Sequence, residues 1–166
     1  MRVGILGSGL MGGKLGTIWA RAGHEVVFSY ARSEQKLKRL ARAANGSATA
    51  GTPSDAAKGA DALLLAVHWS RVDDVLKQAG DLSGKVIVSC SLPMNLDNTG
   101  LIIGRTTSGS EELAKKHPGA EVVADACSDA GRDAPETAKR LRASRSARVA
   151  RARVSLIRTG SWPRAA

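Results

Sequence analysis

Residues Gly7-Ser8-Gly9-Leu10-Met11-Gly12 fill the pattern G-x-G-x-x-G, and their neighbours decide how that pattern is read. A short apolar stretch, Arg2-Val3-Gly4-Ile5-Leu6, precedes them and reads as a buried strand. Behind them, Leu15, Ile18, Trp19 and Ala22 recur at three- and four-residue spacings, which predicts a helix. Glu25-Val26-Val27-Phe28 supplies a second strand. The sum is a β-α-β unit with the glycines at its first turn. Gly7 permits the tight turn. Gly9 lets the backbone approach a pyrophosphate with no Cβ in the way, and Gly12 lets the helix lie close to the strand. The N-terminus of the helix adds free N–H groups and the positive end of its dipole. An ordinary glycine turn would not need strand, helix and second strand in this order, so a dinucleotide is the expected ligand.

The end of the second strand bears on which dinucleotide. An NAD-selective site usually carries Asp or Glu there, accepting hydrogen bonds from the ribose hydroxyls. Here the chain reads Ser29-Tyr30-Ala31-Arg32-Ser33, with Lys36 one turn later and Glu34 arriving late. Hydroxyls with a guanidinium suit a 2′-phosphate, because Arg binds phosphate as a bidentate fork. NADP is therefore expected over NAD. The bland alternative is that Ser33 only caps the next helix and Arg32 is a solvated charge.

The 166-residue chain suits one domain with a sizeable core. It shows neither a signal-peptide pattern nor an apolar run near the length of a membrane span, so no membrane association is expected. Cys90 and Cys127 make no metal-ligand spacing and no disulfide framework, and a cytoplasmic location is the default expectation. No metal site is expected. Aromatic residues make up 3% of the chain, too few for a base-stacking platform. The net charge of +10 resembles a nucleic-acid signal, but it is unevenly spread. Residues 1–131 carry 15 Lys/Arg and 13 Asp/Glu, against 10 and 2 in residues 132–166. The body is nearly neutral, and no specific nucleic-acid partner is expected.

Further along, strands and helices alternate. Glu34 to Ala44 reads as a helix, and Ser47-Ala48-Thr49-Ala50 as a short strand. Thr52, Pro53 and Asp55 form a helix start. Ala62 to Val67 is an unbroken apolar run, as in a central parallel strand covered on both faces. Ser70 is read as the cap of a helix to Ala79, followed by a strand at Val86-Ile87-Val88-Ser89. Ser108-Gly109-Ser110-Glu111 reads as a capping box, and Glu121-Val122-Val123 as a sixth strand. This order implies an α/β fold, a Rossmann-type doubly wound and mostly parallel sheet.

In such sheets ligands lie beyond the carboxyl ends of the strands. That singles out the glycine loop, Val67-His68-Trp69-Ser70 and Cys90-Ser91-Leu92-Pro93. His68 is the weak candidate for catalysis, as proton donor or substrate contact; otherwise it lines the cofactor channel without chemistry. Trp69 reads as loop packing and Cys90 as a strand-end residue. Hydride transfer needs neither a metal nor a protein nucleophile.

With those residues in place, the chain resembles the NADP-dependent oxidoreductases related to the reductase that exchanges hydride between NADP and the deazaflavin coenzyme F420. The same N-terminal domain type occurs in pyrroline-5-carboxylate reductases. The resemblance is carried by Arg2–Gly12, Ala22–Val27, Ser29–Lys36, Asp61–Val67 with Trp69, Gly84–Cys90, Thr106–Gly109 and Gly119–Val123. It covers about residues 1–124. It implies NADP contacts from Gly7, Ser8, Gly9, Leu10, Met11, Gly12, Ser29, Arg32, Ser33 and Lys36. It also implies that the nicotinamide and the hydride acceptor lie near Val67, His68, Trp69 and Ser91. A small-molecule hydride acceptor and a homodimer are the partners it implies. Many family members carry proline or a small residue where His68 stands.

The pattern departs after Val123, where the family continues into a Lys-Ala-Phe-Asn-Thr-like segment. From Arg132 to Ala166, 21 of 35 residues are Ala, Arg or Ser. Three readings compete: out-of-frame translation of a GC-rich gene, a basic tail for acidic partners, or one basic helix on the body. The expected division is a dinucleotide-binding domain, residues 1–124, and an atypical basic tail, 125–166, with the sheet lacking the family's C-terminal part. The expected function is hydride transfer between NADP(H) and a deazaflavin or similar small acceptor. The alternative is a non-catalytic NADP-binding module or an inactive remnant.

Overall fold

The computed structural model describes residues 1–103 and 106–124. Its framework is wound outward from the opening strand. β1 (Arg2–Leu6) leads through the glycine loop into α1 (Leu10–Arg21), and β2 (Glu25–Ser29) returns beside β1. Then follow α2 (Glu34–Ala44), β3 (Ala48–Ala50), α3 (Pro53–Ala57) and β4 (Ala62–Leu65). A 3-10 turn (Trp69–Arg71), α4 (Val72–Ala79), β5 (Val86–Ser89), α5 (Gly109–Lys116) and β6 (Glu121–Ala124) complete the series.

The six strands form one sheet in the order β3-β2-β1-β4-β5-β6, and every pairing between them is parallel. Strand order reverses at β1, which pairs with β2 on one edge (Leu6 with Ser29) and β4 on the other (Leu6 with Leu65). The expected Rossmann-type doubly wound sheet is the fold observed. Residues 125–166, including all three readings of the basic tail, lie outside the described residues.

Alternation along the strands builds two cores. Leu63 and Leu65 of β4 join Leu6, Val27, Val72, Val75, Leu76, Ile87 and Leu113 on the face covered by α3, α4 and α5. Leu64, one residue between them, joins Val3, Ile5, Val26, Phe28 and Leu37 beneath α1 and α2. All four residues of β4 are buried, as its unbroken apolar run predicts. Among the described residues no helix is long and apolar enough to cross a membrane.

Helix starts follow the sequence signals closely. Thr52 caps α3: its Oγ accepts from Asp55 N at 3.1 Å while Asp55 Oδ2 accepts from Thr52 N at 2.8 Å. Ser108 and Glu111 repeat the reciprocal pair at α5, at 3.2 and 2.8 Å. Ser33 caps α2 by accepting from Lys36 N at 3.3 Å.

The helix predicted from Leu15, Ile18, Trp19 and Ala22 forms as α1; its fully buried residues are Gly12, Gly13, Gly16 and Ala20, while Leu15 and Trp19 pack half-buried against the core and Ile18 is 41% exposed. Gly16 shows the reason: a Cβ there would come 2.4 Å from Cε1 of Phe28, so the helix lies too close to the sheet for a larger residue. One expectation needs correction at Ser70, which caps no helix. His68 accepts from Ser70 N and opens the 3-10 turn, and α4 starts only at Val72 with no side-chain cap. Cys90, read from the sequence as part of no disulfide framework, is not a free thiol.

Candidate functional site

Parallel pairing places the carboxyl ends of β1, β2, β4 and β5 along one edge of the sheet. Three loops leave from this edge: Gly7–Gly9, Tyr30–Ser33 and Ala66–His68. A fourth runs from Cys90 towards α5.

Gly7 turns the chain with φ +109°, a conformation that L side chains rarely adopt, and its N–H donates to Ser29 O at 3.2 Å. Gly12 lies so close under the loop that a Cβ would come 1.9 Å from Gly7 O. Gly9 is the opposite case. A Cβ built on it would meet no atom within 4 Å, and it caps α1 without any side-chain hydrogen bond. The first N–H groups of α1, from Leu10 to Gly12, precede its hydrogen-bond ladder, which opens with Gly13 N donating to Gly9 O at 3.0 Å. Open space, unclaimed N–H donors and a dipole end fit a pyrophosphate. Leu10 and Met11 flank this cradle, 76% and 38% exposed.

The hydroxyls of three expected site residues turn inward. Ser8 is fully buried and its Oγ donates to Ser29 O at 2.8 Å. Ser29 is fully buried and donates to Ile5 O at 2.7 Å. Ser91 donates to Val67 O at 2.8 Å. These hydroxyls pin strand ends together, so any contact from Ser8 or Ser29 to a ligand falls to the backbone.

The exposed edge after β2 is carried by Arg32 and Ser33, with Lys36 half-buried behind them. Ser33 accepts from Lys36 N, which leaves its own hydroxyl proton to donate. Glu34 is turned to Lys38 at 2.6 Å, and that pairing holds its carboxyl below the usual range. This donor set fits a 2′-phosphate.

His68 occupies the far side of the edge. Its Nδ1 accepts from Ser70 N at 3.3 Å and lies 2.9 Å from Ser70 Oγ. The ring proton therefore sits on Nε2, which faces Asn95 O at 3.2 Å and donates to it. Asn95 in turn organises the loop after β5. Its Oδ1 accepts from Thr99 N and Gly100 N, and Met94 bridges Leu101 in antiparallel fashion. Trp69 packs beside Gly109 and Pro93, as a loop-packing residue would. His68 thus ties the β4 loop to this small hairpin.

Sequence reasoning gave no role to Tyr30, Arg71, Asp74 or Asn95. The Tyr30 phenol donates to the Asp74 carboxylate of α4. Only tertiary structure brings these two together, so no local spacing announces them. A depression of about 750 Å³ lined by Arg2, Glu25 and Ser47 lies at the opposite, amino-terminal end of the strands, away from the crevice.

The family described as NADP oxidoreductase, coenzyme F420-dependent, matches residues 2–93, more than half of the chain. The chain belongs to this family. Its fold is shared with a protein of Arthrobacter sp. FB24 provisionally assigned as an F420-dependent NADP-reductase, at TM-score 0.66 and 23% identity. That match covers 75% of this chain and 61% of the other. A hypothetical protein, SMa0349 of Sinorhizobium meliloti, matches at TM-score 0.64 and 23% identity, over 75% and 60%. The chain thus spans about three-fifths of the length of each of these two proteins.

Proposed function

We propose that this member of the family binds NADP(H) along the β1–β2–β4 edge and exchanges hydride with a deazaflavin such as coenzyme F420, or with a similar small acceptor. The observation that carries the reading is the open cradle at Gly9 and the uncapped start of α1, with Arg32 and Lys36 at the neighbouring strand end. When bound, NADP(H) supplies or takes up the hydride. The N–H groups of Leu10, Met11 and Gly12 would hold the pyrophosphate. Arg32, Ser33 and Lys36 would hold the 2′-phosphate. Val67, His68 and Trp69 would border the nicotinamide end, with the Asn95 hairpin beyond them as the acceptor side. Both His68 ring nitrogens already serve the loop structure, so its part in this reading is to shape the pocket.

The test is a pair of titrations with NADPH and NADH. NADPH should bind more tightly, and Arg32→Ala should remove the preference. Loss of one charge-assisted phosphate contact should cost about 1.5–3 kcal/mol of NADPH binding and leave NADH unaffected. Equal affinities in the wild-type protein would sink the 2′-phosphate assignment. Hydride exchange is then read as NADPH oxidation with a deazaflavin added.

A further inference from the structure

Tyr30 follows directly on the last residue of β2, and its backbone is left-handed, with φ +54°. The other described non-glycine residues with positive φ are Asn45 and Asn98, of a type that tolerates this region. A bulky aromatic residue does not settle there unaided, so surrounding contacts must hold it. They do. The ring packs against the core beneath α3 and α4, and the phenol donates to Asp74 of α4. Asp74 also accepts from Gln78 Nε2 at 3.1 Å. The residue at the end of β2 is thereby tied to the helix after β4, across the edge where the strand order reverses.

This arrangement has an electrostatic side. Burial first, and then the Asp74 bond, holds the phenol above its usual range, while the Tyr30 and Gln78 bonds hold the Asp74 carboxyl below its own. Arg71 lowers both. At neutral pH a protonated phenol therefore faces an ionised carboxylate. A carboxylate near the end of β2 is what an NAD-selective site uses to accept ribose hydroxyls, and it would repel a 2′-phosphate. Here that carboxylate arrives from α4 and is turned onto a phenol and an amide.

We propose that Tyr30 and Asp74 are specificity-determining residues for the nucleotide: the phenol keeps the Asp74 carboxylate off the ribose and so preserves the preference for NADP(H). This rests on the reading that the adenosine ribose lies at the end of β2. Two substitutions should act with opposite signs. Tyr30→Phe frees the carboxylate, so NADPH binding weakens and NADH binding tightens. Asp74→Asn removes the charge, so NADPH binding tightens relative to NADH. Each shift in the NADPH-to-NADH affinity ratio should be about fivefold, the scale of one partly screened charge contact.

The test is calorimetric titration of the full chain and both variants with each nucleotide, beside thermal melts to show that the variants fold. Tyr30 is the only tyrosine in the chain, so ultraviolet difference titration reads its phenol alone. Asp74→Asn should lower the pH at which that phenol ionises. Opposite shifts of the ratio together with the lowered phenol ionisation support the proposal. An unchanged ratio in folded variants of a protein that still prefers NADPH overturns it and leaves the proposed function intact. A phenol titration indifferent to Asp74→Asn overturns it as well. If the wild-type protein binds neither nucleotide, the proposed function falls and takes this inference with it.

Discussion

Gly9 and Gly12 lie three residues apart and tolerate a side chain very differently. At Gly12 a Cβ would meet a backbone oxygen at 1.9 Å, so substitution damages the fold itself. At Gly9 it would meet nothing, so substitution damages only what the space is for. Gly9→Val is expected to unfold at the wild-type temperature while NADPH binding is lost, with thermal melts and titration read side by side. Binding that survives would make these glycines a structural turn and no more. His68→Asn tests a second residue. Asn can still accept from Ser70 N, but the donor to Asn95 O is gone. A cost of about 0.5–1.5 kcal/mol in urea unfolding is expected, the usual worth of one hydrogen bond. No shift is expected in the pH profile of hydride exchange, whereas a proton donor at this position would move it. The glycine spacing was legible because it is local. The inward turn of Ser8, Ser29 and Ser91 was not, because a hydroxyl at a strand end looks the same whether it faces ligand or backbone.

At the scale of elements, capping chemistry translated well from sequence. The pairs Thr52/Asp55 and Ser108/Glu111 were readable from a three-residue spacing, and both form. Their carboxyls also give a pH dependence. Hydrogen bonds from Thr52 hold Asp55 below the usual carboxylate range, and those from Ser108 and Thr107 do the same for Glu111. A carboxyl with a depressed folded pKa contributes stability above its unfolded value, near 4, and loses it as pH falls through the folded value. Thr52→Ala should therefore lower the unfolding midpoint at pH 7, with the difference from wild type shrinking on acidification below about pH 4. Melts across that range check it; a constant difference would show that the carboxylate plays no part. The close packing of α1 was not legible for a physical reason: large apolar residues at helical spacing normally mark the buried side, but here glycines bring the helix so close to Phe28 that Leu15 and Trp19 are only partly buried and Ile18 is exposed.

For the molecule as a whole, the alternation of strands and helices made the class of fold legible, and the parallel pairing follows from the helical crossovers between successive strands. The residues proposed to hold NADP(H) all lie between Gly7 and Ser91, in the nearly neutral part of the chain. A chain ending at Gly131 is therefore expected to bind NADPH with the affinity of the full-length protein, by the same titration. A large loss would assign residues 132–166 a part in the site and redraw the division near residue 124.

The reversal of strand order at β1 has a further consequence for how the protein comes into being. On one side β1 pairs with the next strand made. On the other it waits for β4, and the bond from Arg2 N to Asp61 Oδ2, at 2.8 Å, closes a loop of fifty-nine positions. During synthesis β3, β2 and β1 can assemble first, with the inner edge of β1 bare, an open template for pairing with another chain. Closing that long loop is the slow, entropy-limited step, as non-local parallel pairings are. Until β4 arrives, the bare edge of β1 thus leaves the nascent chain an aggregation-prone surface along what becomes the middle of the sheet.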